Sequence, residues 1–104
     1  MDNLHYDDFL PHLNSRFQLK AGEATHELEL TNVTENSPSP RQEQFVLLFR
    51  ASLTAPPNQS IYELTHAQLG TGTMFLVPVS RNADAIFYEA VFNRPIEAMQ
   101  EQQA

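Results

Sequence analysis

The sequence predicts a mainly β protein, a small antiparallel six-stranded barrel or sandwich with a short helix at each end of the chain. Three observations predict it. Apolar and polar residues alternate over six short stretches, the period of a strand with one buried face. Most of these stretches are separated by a few turn-forming residues, with Gly, Pro, Asn and Asp prominent. No helical stretch lies between them, and parallel strands need long crossovers. Neighbouring strands must therefore run antiparallel.

From Asp2 to Leu13, residues Tyr6, Phe9, Leu10 and Leu13 fall at the i, i+3, i+4, i+7 spacing of one helix face. Asp2 or Asn3 is expected to cap this helix. Pro11 removes a backbone donor and clashes with the preceding turn, so the helix should kink or end near Leu10. Its apolar stripe should cover one end of the sheet.

After Asn14 and Ser15, the first strand is expected over Arg16–Lys20, with Phe17 and Leu19 facing inward. Ala21-Gly22-Glu23 is a turn signal. The second strand, Thr25–Thr34, carries Leu28, Leu30 and Val33, and the broken alternation before Val33 marks a bulge or the strand's end. Glu35–Arg41 contains two prolines, which cannot donate to a ladder, and reads as an exposed, mobile loop. The third strand, Gln44–Leu53, holds the unbroken apolar run Phe45–Phe49, which predicts a central strand covered on both faces.

Thr54–Asn58 breaks the chain again. In Ser60–His66, Tyr62, Leu64 and His66 share one face, while Ile61, Glu63 and Thr65 share the other. Leu69–Gly72 supplies turn glycines. Thr73–Val79 follows, with Pro78 marking an edge or a strand end, and then Ala85–Phe92. Pro95–Gln102 is expected to be a short helix with Ile96 and Met99 facing inward. The organisation is one domain over 1–104: helix and turn in 1–14, β core in 16–93, tail or short helix in 94–104.

Composition narrows the function classes. At 104 residues the chain can bury roughly two-thirds of the surface it would expose unfolded. The absence of cysteine removes disulfides, thiolate metal sites and cysteine nucleophiles. A formal net charge of -7 repels phosphate backbones, and the basic residues are scattered, so nucleic acid is not an expected partner. No stretch approaches the roughly 20 apolar residues of a membrane span. The acidic Met1–Asp8 segment is unlike a secretory signal, and the expected location is cytoplasmic.

The chemistry-bearing candidates are few. His66 stands beside Glu63 at a strand end, but no second histidine lies at metal-ligand spacing, and the expected role is structural. Glu89 sits in an apolar strand, and Arg50, at the end of the Phe45–Phe49 run, is its expected partner in a buried ion pair. Three glycines and no Gly-x-Ser-x-Gly, phosphate-loop or dinucleotide fingerprint leave no catalytic set, metal site or cofactor to expect.

The motifs Tyr62-x-Leu64-x-His66-x-x-Leu69-Gly70, Phe75–Val79 and Tyr88-Glu-Ala-Val-Phe-Asn93 resemble an uncharacterised bacterial family of small β proteins of similar length. Phe9, Phe17 and the Phe45–Arg50 strand extend the resemblance along the whole chain. Asn14 and Ser60 depart from it, standing where glycine is usual. Genes of this family are described near phage-tail-collar-like genes, so the resemblance implies a component or accessory of a phage-tail-like assembly. It carries over no catalytic residue.

The leading expectation is thus a non-enzymatic structural or interaction module that binds another protein or itself. A small-ligand-binding barrel with Tyr62, His66, Phe75 and Tyr88 at its mouth is the alternative. An enzyme using His66 with Glu63 or Glu89 is the second alternative.

Overall fold

The computed structural model describes residues 4–95. Six strands, β1 (Arg16–Ala21), β2 (Ala24–Glu35), β3 (Gln42–Ala51), β4 (Ser60–His66), β5 (Gly70–Arg81) and β6 (Ile86–Pro95), follow a short N-terminal helix α1 (Tyr6–Phe9). All neighbouring pairs are antiparallel. The strand order is β1-β2-β3-β6-β5-β4, and β4 pairs back to β1 through Leu19↔Leu64 to complete a closed barrel. Closure of the ring removes the two continuous edges that an open sheet would expose.

Period-two alternation sorts side chains between the interior and the outside. Phe17, Leu19, Leu28, Leu30, Phe45, Leu47, Phe49, Leu64, Leu76 and Tyr88 are fully buried and form one core cluster. The expectation of two covered faces for β3 is corrected. Val46 and Leu48 lie on the outside and are half-buried, because a single closed layer has no second sheet to cover them.

Two irregularities in the sequence are bulges. The register of β2 against β3 shifts between Leu30 and Asn32, and the Thr31 hydroxyl donates to the Leu48 carbonyl at 3.1 Å. This shift returns Val33 to the core, so β2 continues to Glu35. Pro78 sits at a local edge, with a ladder partner on the β6 side alone, but it does not end the strand. It pairs with Tyr88 beside a second bulge, between Pro78 and Ser80, and β5 runs on to Arg81.

The N-terminal helix is shorter than its spacing suggests. One turn, Tyr6–Phe9, gives way to a 3-10 turn at Leu10–His12 containing Pro11. Phe9 is buried, whereas Leu10 and Leu13 are exposed, because the tighter turn rotates them off the Phe9 face. His5 is the N-cap, and the Asp8 carboxylate accepts from its backbone N–H at 2.8 Å. The expected caps Asp2 and Asn3 lie outside the described residues. Pro95 ends β6 instead of opening a helix, and the remainder of the expected Pro95–Gln102 helix also lies outside them.

Asn14 has φ +68° and Gly22 and Gly70 have φ +62° and +87°. Gly22 opens the tight β1–β2 hairpin, in which Ala21 pairs with Ala24. Asparagine tolerates the left-handed region better than other side chains, which is how it serves at position 14. Asn14→Ala is expected to lower stability by about 1 kcal/mol while Asn14→Gly leaves it nearly unchanged, as measured by urea unfolding.

Candidate functional site

The ring has two ends, and each is closed by chain outside the strands. Below β3 and β4 lies the loop 52–59, where Ala55 is buried. The Tyr62 hydroxyl donates to the Asn58 carbonyl at 2.6 Å, and the Tyr88 hydroxyl donates to the Pro56 carbonyl. Burial raises the Tyr62 phenol, and burial together with Tyr62 pushes Tyr88 up to about 12. These tyrosines are neutral donors that tie the loop down.

The N-terminal segment crosses the opposite end. At one side, Phe9 packs on Phe45 and Phe92 with centroids 5.9 and 5.8 Å away. Phe45 and Phe92 stack at 4.6 Å, and the Arg94 guanidinium lies 5.6 Å from the Phe92 ring centroid. Above them Glu43, only 8% exposed, accepts from the Tyr6 backbone N–H at 2.9 Å and from Arg94 Nε at 3.3 Å. His5 Nδ1 lies 2.8 Å from the same carboxylate. Burial pushes the Glu43 carboxyl up, but the Tyr6 N–H, His5 and Arg94 outweigh it and hold the group below its usual value.

At the other side, His66 is 4% exposed and makes three polar contacts. Its Nδ1 accepts from the backbone N–H groups of Gln68 and Leu69 at 3.0 and 3.2 Å, closing the β4–β5 turn. Nε2 therefore carries the proton and donates to Ser15 Oγ at 2.9 Å. Ser15 in turn donates to the His12 carbonyl at 2.5 Å. The His12 and Phe17 rings pack against His66 at 4.7 and 4.5 Å. Burial, then the neighbouring His12, lowers the His66 pKa.

A Ser–His contact invites a nucleophile reading, and the tautomer opposes it. A base must present an unprotonated nitrogen to the serine, whereas here that nitrogen bears the proton. Glu63 and Glu89 do not help, because both project from the outer face while His66 points inward. Among the described residues no group of three His, Cys, Asp or Glu side chains is placed to hold a metal.

The four expected ligand residues are separated. Tyr62 and Tyr88 point to the loop 52–59, His66 points to the N-terminal segment, and Phe75 is 51% exposed on the outside. The expected buried Arg50–Glu89 pair is also corrected. Arg50 is exposed, Glu89 is half-buried on the outer face, and they stand diagonally across β3 and β6 without an ion pair among the described residues. The buried carboxylate that meets an arginine is Glu43, directly opposite Arg94 in the same ladder.

On the outside, Ile61 pairs with Phe75 across β4 and β5, and Val91 pairs with Val46 across β6 and β3. Ile61 is 68% exposed and Val91 is 58% exposed. Phe75 and Val91 line one cleft of about 260 Å³ between β5 and β6, with Met74, Ala90 and Phe92 among its other walls. This apolar row spans four adjacent strands.

Residues 4–92 match the model of a domain of unknown function, DUF6916. The chain belongs to this family. That membership agrees with an uncharacterised family and assigns no activity to the DUF6916 fold. No curated protein and no solved structure matches the chain.

Two pH steps follow from these environments. His66 is held below the free value of 6.5, so the unfolded chain takes up its proton first. Its stabilisation is complete above that value and declines as pH falls through 6.5 toward the lower folded value. Glu43 is held below 4.5, so its contribution is present above that value and is lost as pH falls further. Thermal unfolding against pH should show both steps, and His66→Gln should flatten the upper one alone.

Proposed function

We propose that this DUF6916 protein is a non-enzymatic interaction module that docks another protein on the outer row Ile61, Phe75 and Val91. The supporting observation is the exposure of three large apolar side chains on neighbouring strands. Exposed apolar residues scattered singly need no explanation, but a contiguous row rimmed by polar residues marks a binding face. The filled interior and the donor state of His66 favour docking over chemistry.

The finer reading is a component or accessory of a phage-tail-like assembly in the bacterial cytoplasm. It rests on the resemblance of the Tyr62–Gly70 and Tyr88–Asn93 motifs. The outer row supplies such an assembly with a contact surface.

Native mass spectrometry of protein isolated from its own cells tests the reading. The protein should carry a stoichiometric protein partner, and the double variant Ile61→Lys, Phe75→Glu should lose it. Because both positions are exposed, the variant should unfold within about 0.5 kcal/mol of the parent. A bare protein, or a partner retained by the variant, would remove this face as the docking site.

A further inference from the structure

The outer row lies beside an interruption in the ring. The β5–β6 ladder runs from Arg81↔Ile86 to Val77↔Glu89 and stops there. Beyond that last pair, residues 70–76 of β5 pair with β4 on one side, and residues 90–95 of β6 pair with β3 on one side. Each strand therefore turns a second edge toward the cleft that Phe75 and Val91 line.

Strand edges are ordinarily blunted by charge or proline. Here no Asp, Glu, Lys or Arg stands anywhere in positions 64–80, and positions 90–93 of β6 are uncharged as well. Glu63 belongs to β4, where it is paired opposite Lys20 of β1. Arg94 lines the cleft, but its guanidinium lies against the Phe92 ring and its Nε donates to Glu43. A molecule of net charge -7 thus carries its acids elsewhere, and a second copy can approach this strip at low electrostatic cost.

The two edges also match each other. Continuing the register of the existing ladder sets Leu76 opposite Ala90, Phe75 opposite Val91, Met74 opposite Phe92 and Thr73 opposite Asn93. Apolar residues meet apolar ones and a polar residue meets a polar one, yet within one molecule these pairs are not made. A lone strand inserted between β5 and β6 would lie parallel to one of them, because the two run in opposite directions, whereas every ladder of the fold is antiparallel. A second copy, related by a twofold axis parallel to the strands, presents β6 to β5 and β5 to β6, and both new pairs are antiparallel.

We infer that the β5–β6 cleft is the interface of a symmetric dimer, in which the β5 edge of each copy pairs with the β6 edge of the other and Phe75 faces Val91 across both ladders. The inference rests on the interaction reading above and names the partner at that face as a second copy of this chain.

Sedimentation equilibrium of the purified full chain tests it. The mass should rise to that of a dimer with concentration, and added salt should tighten the dimer, because the copies repel as wholes while the paired edges are neutral. In NMR of mixed isotope-labelled and unlabelled chains, contacts between copies should join Phe75 to Val91. Phe75→Lys and Val91→Glu should each weaken dimerisation about tenfold, since each removes two symmetry-related cross-strand pairs. Combined in one chain they should restore it, because opposite charges then face each other across both ladders. Phe75 and Val91 are both more than half exposed, so the variants should keep the urea midpoint of the parent.

A monomer at every concentration would overturn the dimer, while the interaction reading is then judged separately by a different protein carried in native mass. A dimer that both single variants leave intact would overturn the inference by placing the contact elsewhere. Contacts of Phe75 with Phe75 between copies would overturn the crossed pairing, and a dimer weakened by salt would overturn the neutral edges as its seat.

Discussion

A carboxylate taken out of water must have its lone pairs filled, or the fold that buries it is destabilised. Glu43 meets that requirement with donors from both ends of the chain: the Tyr6 N–H and His5 from the N-terminal segment, Arg94 from the end of β6. The segment must therefore lie across β3 and β6 in one position. Phe9 is thereby delivered onto Phe45 and Phe92, and the chain continues over the mouth to Ser15, where His66 receives it. A closed sheet with an open mouth becomes a filled core.

That closure bears on what the molecule can do. The inward polar residues are committed to holding covers in place: Tyr62 and Tyr88 to one loop, His66 and Glu43 to the N-terminal segment. What the fold leaves uncommitted is on the outside, where β5 and β6 part beside a row of apolar side chains. The proposed function follows from this division between a satisfied interior and an unsatisfied surface.

The strands were legible because period-two patterning is a direct consequence of strand geometry. The alternation Tyr62, Leu64, His66 is buried as read, and the slip before Val33 is a bulge. The local pattern misplaces the buried ion pair for a simple reason. A β3 that starts at Gln44 and a β6 that ends at Phe92 exclude Glu43 and Arg94 from the strands. Carrying the alternation one step further sets Glu43 in line with Phe45 and Leu47, and Arg94 in line with Phe92 and Ala90. Strand ends are where pattern fades, since loops and strands both accept polar residues there. Arg50 and Glu89, by contrast, occupy outward positions within their strands. The interruption of the β5–β6 ladder depends on how the ring closes, and no local pattern encodes it.

The most direct test of the Glu43 constraint is native-state hydrogen exchange in the parent and in Glu43→Gln. The substitution keeps the shape of the side chain and removes its charge. If Glu43 holds the cover, the amides of 6–13 should exchange faster together, with the change spreading to the β6 end near Phe92 while Leu19 and Leu64 in the β1–β4 ladder keep their protection. Unchanged protection over 6–13 would contradict the account. It would mean that aromatic packing by Phe9 alone closes the ring.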